Sequence, residues 1–199
     1  MESLAKPFRT FLKKVVALLP KKIQKKLFGY FWAMRSPDRV FLVQKILPLF
    51  AKTSGTMLWV GCERYTRTYP KLLEKNGGTC WTLELEADQA RWGNHGRHVT
   101  GDLTKADHLF PANEFDVVFC NGVFGWGINT PEKQREAFEA MAQIMKPGAT
   151  LLLGWNTYRS EDPVALDLSS EWFEAGAVQG LQQKFQLGEH VYEILRKKA

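Results

Sequence analysis

No stretch of this 199-residue chain approaches the ~18 apolar residues that a membrane-spanning helix needs. The apolar run Val15 to Leu19 is too short for the core of an export signal, and no small-residue cleavage pattern follows it. The expected location is therefore the cytoplasm, with peripheral contact at a membrane surface left open. Cysteine is scarce. Cys62, Cys80 and Cys120 are odd in number, widely spaced and without a C-x-x-C pair, which excludes a disulfide framework and gives no support to a zinc or redox site. All three fall at or beside apolar runs that read as strands, where a thiol acts as a small buried hydrophobe. Internal repeats and low-complexity tracts are also missing. What is present, 45% hydrophobic and 13% aromatic residues, suffices to bury one sizeable core and excludes collagen-like and disordered classes.

Acid is nearly absent from the first 35 residues, which hold nine Lys or Arg and one Glu, a net of +8. The other 164 hold 18 bases and 20 acids, so the basic character belongs to the N-terminal segment alone. There Phe8, Phe11, Leu12, Val15 and Leu19 recur at helical spacing as far as Pro20. Ile23, Leu27, Tyr30, Phe31 and Met34 suggest a second helix, with Lys21, Lys22, Lys25 and Lys26 on its charged side. Residues 1–35 thus read as a basic amphipathic extension and 36–199 as the main domain. Three uses of the extension stay open. It can pack on the sheet with its lysines in water, lie on an anionic membrane surface at up to ~1 kcal/mol per basic residue, or bind nucleic acid. The last is the least supported, because no recognition motif accompanies the charge.

Ser36-Pro37-Asp38 reads as the start of a third helix, with Ser36 as cap and Pro37 in the first turn, running toward Phe50. From Thr56 the rhythm alternates. Met57 to Val60 predicts a strand; Tyr65 to Lys75 a helix, interrupted or restarted at Pro70 and closed by Asn76-Gly77-Gly78. Cys80 to Leu83 predicts a second strand, Ala87 to Trp92 a short helix, His98 to Thr100 a third strand and Phe115 to Cys120 a fourth. Thr130 caps the best helix of the chain, which Lys146-Pro147-Gly148 is expected to stop before a fifth strand, Thr150 to Trp155. Alternation of this kind implies a doubly wound α/β fold with a mostly parallel sheet covered on both faces. The closing runs "LQQKFQL" and "HVYEILRK", separated only by Gly188-Glu189, can pair only as an antiparallel hairpin.

In such a sheet, ligands sit beyond the carboxyl ends of the strands where strand order reverses. Gly61 ends the first strand. Glu84 ends the second, 23 residues later, about the spacing at which these folds place an acid for ribose hydroxyls. Gly101-Asp102 follows the third strand and Asn121-Gly122 the fourth. Each has a plain structural reading: Gly61 as a turn, Glu84 as a solvated acid, Asp102 as a cap. Their convergence on one edge favours a site.

The stretches "WVGCERYT", "TLELEADQARWG", "VTGDL", "FDVVFCNGVFGWG" and "AFEAMAQIMKPGATLLLGWN" together resemble a class I S-adenosylmethionine-dependent methyltransferase, from about residue 36 to the C-terminus. The resemblance implies a Rossmann-like seven-stranded sheet with a C-terminal antiparallel hairpin, S-adenosyl-L-methionine as cofactor and methyl transfer as activity. It implies that Gly61 and its neighbours Cys62, Glu63 and Tyr65 face the methionine part. Glu84, followed by Leu85, would hold the ribose, Asp102 with Leu103 would meet the adenine edge, and Asn121 with Gly122 would line the path to the sulfonium methyl. The acceptor stays open among small molecules, lipids and glycans.

Two departures bear on this. Family members usually carry an acid two residues before the first glycine, where this chain has Trp59; read without a gap, Glu63 stands where a second glycine is usual, and read with a gap, the loop is about two residues shorter. A side chain there would obstruct close approach of a ligand; alternatively Glu63 takes over the missing acid and pairs with the ligand's ammonium. The first option leaves a non-catalytic binding or scaffold protein, the second a rearranged site, which the retained strand-end residues favour. A nicotinamide dehydrogenase is disfavoured because "GCERYT" lacks the later glycines that pyrophosphate approach requires. No catalytic residue stands out, as alignment alone can drive methyl transfer. The Asn-Pro-Pro-aromatic motif of amino-group methyltransferases is absent, and Phe124 and Trp126 are candidates for a substrate wall. His95 and His98 have spacing a metal could use but no third ligand nearby, so no metal is expected.

Overall fold

The structure, a computed structural model, describes residues 35–199. The two basic helices expected earlier in the chain, with their membrane and nucleic-acid readings, lie outside the described residues. Strands β1 (Thr56–Val60), β2 (Thr79–Glu84), β3 (His98–Thr100), β4 (Phe115–Asn121), β5 (Met145–Asn156), β6 (Phe173–Ala175), β7 (Lys184–Leu187) and β8 (His190–Lys197) form one sheet. Its order is β3-β2-β1-β4-β5-β8-β6, with β7 also paired to β8. The pairs among β1 to β5 are parallel, while β8 runs against β5, β6 and β7.

The sheet has eight strands in seven positions, where seven strands were expected. β6 pairs with residues 195–197 of β8 and β7 with residues 190–193, so two short strands share one edge. Between them Gly176 still donates to the Ile194 carbonyl at 3.0 Å, and Gly180, at φ +90°, turns the chain. The hairpin of β7 and β8 turns at Gly188, φ +64°, where the sequence placed it.

Helix α1 is built from abutting segments, Pro37–Phe41, a π-helical turn Leu42–Ile46, and Leu47–Phe50. Pro37 occupies its first turn; the Ser36 side chain makes no capping hydrogen bond, contrary to expectation. Helix α2 is only Tyr69–Leu73, followed by a 3-10 turn Glu74–Asn76; of the helix expected from Tyr65 to Lys75 with an interruption or restart at Pro70, only the part from the restart forms. Pro70 explains the loss, since it has no N–H to bond back to residue 66 and so fixes the helix start beside it. Gly77, at φ +92°, then closes the segment as a left-handed cap. Ala87–Trp92 is a 3-10 helix with no buried residue, so no packing selects a full α-turn. A further 3-10 turn, Leu103–Lys105, leads into α3 (Ala106–Leu109).

Helix α4 (Pro131–Ile144) begins at Thr130, whose hydroxyl accepts from Lys133 N, and buries Phe138 and Met141. It ends at Ile144, before the expected Lys-Pro-Gly stop. Met145 already pairs with Phe115, and the register then jumps so that Val117 faces Thr150, leaving Lys146 to Ala149 as a bulge with Gly148 at φ +77°.

Side-chain alternation along the strands divides the core. Leu58, Val60, Val118, Leu151 and Leu153 face α3 and α4, while Met57, Trp59, Phe119, Leu152 and Tyr192 face α1 and α2. Near-continuous burial along β1 and β4 follows from helices on both faces. No helix among the described residues is long and apolar enough to cross a membrane.

Candidate functional site

Strand order reverses at β1, which lies between β2 and β4, and the carboxyl ends of the parallel strands open there onto a cleft of about 1100 Å3. All ten residues singled out from the sequence line this cleft: Gly61, Cys62, Glu63, Tyr65, Glu84, Leu85, Asp102, Leu103, Asn121 and Gly122. Because β8 is reversed, its first residue, His190, reaches the same edge, opposite Asn156 at the end of β5. Arg39 and its neighbours at the start of α1 close another side.

The floor is set by backbone. Gly61 adopts φ +88° and donates to the Leu83 carbonyl at 2.8 Å. Gly122, at φ +73°, donates to Gly154 O at 2.8 Å, and a Cβ on it would meet nothing within 4 Å, so its open side faces free space in the cleft. Glu84 ties the floor together: Oε2 accepts from Cys62 N at 2.6 Å and Oε1 from Glu86 N at 2.9 Å. Each carboxylate oxygen keeps further acceptor capacity after one such bond. Asp102 uses Oδ1 to accept from Thr104 N at 2.9 Å, which caps the following 3-10 turn as its plain reading held.

The loop after Gly61 differs from a helix N-terminus with free N–H groups. Cys62 N–H goes to Glu84, and Glu63 N–H goes to Thr66 Oγ1 at 3.0 Å, while the Thr66 hydroxyl donates back to the Glu63 carbonyl. Two N–H groups that a ligand carboxylate could have used, those of Cys62 and Glu63, are therefore taken, and turns occupy residues 64 to 68. Glu63 itself is exposed. Trp59 is 1% exposed, stacks on Phe119 at 5.5 Å, meets Tyr69 edge-on at 4.9 Å, and donates from Nε1 to the Gly61 carbonyl at 2.7 Å. It is a core residue that ties down the loop rather than a ligand contact.

Arg39 was not anticipated. Its guanidinium donates to Tyr65 Oη at 2.9 Å and lies 4.0 Å from the centre of that ring, with Asp38 at 4.0 Å. Burial alone would lower its pKa, but the surrounding phenols of Tyr65, Tyr69 and Tyr192 leave it raised, so it is a fixed cation. The same burial raises the Tyr65 phenol. Cys62 is pushed up to about 12, first by burial and then by Glu84, and burial pushes Cys120 up to about 12; neither offers a thiolate at neutral pH.

On the far side, His190 joins two strand ends. Its Nδ1 lies 2.7 Å from Asn156 Oδ1 and its Nε2 2.8 Å from Asn121 Oδ1. Burial drives its pKa down to about 4. Gly154 makes room for this cluster, since a Cβ there would sit 1.9 Å from Asn121 Oδ1. At the rim, Trp126 and Tyr158 are each more than half exposed, and the Arg159 guanidinium lies 4.0 and 5.6 Å from their ring centres. Phe124 does not wall the cleft. It is fully buried against Phe138, 5.3 Å away. His98 faces Thr82 and Thr100 hydroxyls rather than the cleft, and the described residues hold no group of three or more His, Cys, Asp or Glu suited to a metal.

His190, Asn156, Arg39 and Tyr158 were missed by the sequence reading. A signal existed for the first two: a hairpin starting its return strand at His190 must bring that residue to the end of β5.

Residues 58–153 match a family model described as a methyltransferase domain. No curated protein sequence matches the chain. Among solved structures, a protein of Pyrococcus horikoshii OT3 superposes with a TM-score of 0.65 at 15% identity, over 87% of this chain and 99% of that one. The N-methyltransferase NodS of Bradyrhizobium japonicum WM9, in complex with S-adenosylhomocysteine, gives 0.58 at 14% identity over 84% and 91%. A S-adenosylmethionine-dependent methyltransferase of Aquifex aeolicus gives 0.58 at 18% over 82% and 94%. Identities this low speak for the fold alone, and the strand order and reversed β8 agree with it. The segment that matches the methyltransferase-domain model spans β1 to β5 and the glycines of the cleft floor, and the fold around it is one that S-adenosylmethionine-dependent methyltransferases also adopt.

Proposed function

We propose that the protein binds S-adenosylmethionine in the cleft and transfers its methyl group to an acceptor that enters past Trp126 and Tyr158. The observation that carries the reading is the floor: Gly122 faces open space beside Asn121, and Glu84, at the end of the neighbouring strand pair, still has acceptor capacity on both oxygens. Bound S-adenosylmethionine would supply an electrophilic methyl on its sulfonium, leaving S-adenosylhomocysteine as the thioether product and releasing to solvent any proton the acceptor atom carries.

The chain's part is binding and alignment. Glu84 accepts from the two ribose hydroxyls, and Leu85, Leu103 and the second oxygen of Asp102 border the adenine. The methionine end needs partners for two charges, and here the Cys62 and Glu63 N–H groups are already used within the protein. Arg39 meets the carboxylate and Glu63 the ammonium, so side chains take over what a glycine-rich loop does with backbone. Asn121 and Gly122 flank the methyl path. The acceptor side is walled by His190, Asn156 and the rim aromatics.

Isothermal titration calorimetry with S-adenosylmethionine and S-adenosylhomocysteine tests this on the full chain and on Glu84→Ala. Two hydrogen bonds to a charged acceptor are worth roughly 1.5–3 kcal/mol each, so the variant should bind at least about 100-fold more weakly. Absence of binding by the folded wild type would reject the reading and leave a methyltransferase-fold binding or scaffold protein.

A further inference from the structure

The charges around the cleft are sorted by strand. On the half built by β1 to β3, Glu63, Glu84, Glu86 and Asp102 line it and no Lys or Arg does. Among the described residues, none of these four carboxylates has a Lys, Arg or His nitrogen within 4.0 Å. Asp38 and Arg39, 4.0 Å apart at the start of α1, offset each other. A cleft with low-dielectric walls concentrates such a field, so this half suits S-adenosylmethionine, whose sulfonium, ammonium and carboxylate leave a net positive charge. The mouth on the other half, after β4 and β5, has the opposite sign.

That mouth is fixed by its backbone. Trp126 is carried on a tight turn, in which Gly125 N donates to Ile128 O and Trp126 N to Val123 O, each at 3.0 Å, between the buried Phe124 and Ile128. The turn after β5 is held by Arg159 N, which donates to Asn156 O at 2.9 Å, and by Gln134, 3% exposed, whose Nε2 donates to Ser160 Oγ at 3.0 Å. The two turns touch at Gly125, φ +83°, where a Cβ would stand 2.6 Å from the Arg159 Cβ. The Arg159 guanidinium is thereby laid 4.0 Å from the centre of the Trp126 ring, with Tyr158 beside it.

A stacked guanidinium keeps its N–H donors at its edge. Among the described residues, neither Arg159 nor Lys133, in the first turn of α4, has a carboxylate within 4.0 Å. Glu189 is the one acid that lines this half; Glu132 and Glu161, beside the two cations in sequence, do not line the cleft.

We propose that Arg159 and Lys133 form an anion-binding rim, and that the methyl acceptor carries a carboxylate or phosphate apart from its nucleophilic atom. This rests on the methyltransferase reading above. Arg159 takes the anion through paired N–H donors and Lys133 as a point charge, while Trp126 and Tyr158 cover the apolar part next to it. With its anion at the mouth, the acceptor turns its nucleophile inward toward Asn121 and Gly122.

Inorganic phosphate is the probe, read by 19F NMR on the full chain labelled with fluorotryptophan. The Trp126 signal is identified among the seven tryptophans by its loss in Trp126→Phe, so phosphate on lysines elsewhere does not register. At constant ionic strength, sodium phosphate should shift this signal saturably and sodium chloride should not. Arg159→Gln should weaken the apparent affinity at least about tenfold, the size of one hydrogen bond between charged groups, and Lys133→Ala about threefold. No saturable shift in wild type, an affinity unchanged in both variants, or a larger response to ethylammonium than to phosphate overturns the proposal. Phosphatidylglycerol vesicles separate the sources of the anion: a stronger response to vesicles than to free phosphate assigns it to a lipid headgroup, and the reverse to a soluble acceptor. Calorimetry with S-adenosylhomocysteine reports on the cofactor end alone. If that ligand fails to bind while phosphate still shifts Trp126, the methyltransferase reading falls and the rim serves another ligand.

Discussion

Acidification from pH 7 to pH 4 should destabilise the fold through His190. The ring is 5% exposed and its pKa is driven from an ordinary 6.5 down to about 4, chiefly by burial. Between those two values the unfolded chain holds the proton and the folded chain does not, so stability is fully present above pH 6.5 and is lost as pH falls toward 4. A shift of this size corresponds to about 3 kcal/mol, a large share of the ~5–15 kcal/mol that holds a typical domain together. Other groups act outside this window or weakly within it. Asp116 and Asp162, lowered chiefly through hydrogen bonds from Lys146 and Lys184 that outweigh their burial, matter only below about pH 4. His98 is lowered by burial in the same sense as His190 but is more exposed. Equilibrium urea unfolding across pH 4 to 8, on wild type and His190→Gln, separates the contributions. The free-energy gap between the two proteins should narrow by about 3 kcal/mol on acidification. Parallel curves would refute a neutral, buried His190.

Trp59→Asp puts the acid common among relatives back in its usual place, yet it should not help. It removes a 1% exposed indole stacked on Phe119 and leaves a buried charge, a cost of about 4 kcal/mol or more; a variant with wild-type urea stability and tighter S-adenosylhomocysteine binding would contradict the assignment of Trp59 to the core. Gly154→Ala inserts a Cβ 1.9 Å from Asn121 Oδ1 and 2.8 Å from His190 Nε2. It should cost about 2–4 kcal/mol and raise the His190 pKa toward 6.5 as the cluster opens; an unchanged NMR titration would show that the cluster does not depend on that clearance.

The parallel half of the sheet is legible in the sequence because its strands are buried on both faces and read as apolar runs, as in Met57 to Val60 and Phe115 to Cys120. The hairpin is legible from the short spacing across Gly188. β6 is not: of Phe173, Glu174 and Ala175 only Phe173 is buried, and the strand exists because residues 195–197 of β8 offer it a free edge. The helix after Gly61 is overread only before Pro70, where residues 64–68 form turns; from the expected restart at Pro70 the helix forms as Tyr69–Leu73. The site was legible where it rests on strand ends, as at Gly61, Glu84 and Asn121. It was illegible where it depends on a neighbour far along the chain. Arg39 reads as an ordinary helix surface residue until Tyr65 is brought beneath it.

The altered glycine loop is better understood as exchanged chemistry than as loss. A decayed loop would leave backbone groups unpaired at the mouth of a cleft, at a cost for each. Here the Gly61 carbonyl is held by Trp59, the Cys62 N–H by Glu84 and the Glu63 N–H by Thr66. Each partner lies on a different element or turn, so the loop is fixed from the α2-facing core, from β2 and from within. Consecutive groups that a glycine-rich loop offers to a ligand, the Cys62 and Glu63 N–H groups, are satisfied by protein, and the exposed Glu63 side chain and Arg39 both line the cleft. Under the proposed binding mode, recognition of the ligand's charges passes from backbone dipoles to the Arg39 and Glu63 side chains, and Trp59 and Glu63, the two departures noted in the sequence, become parts of one arrangement.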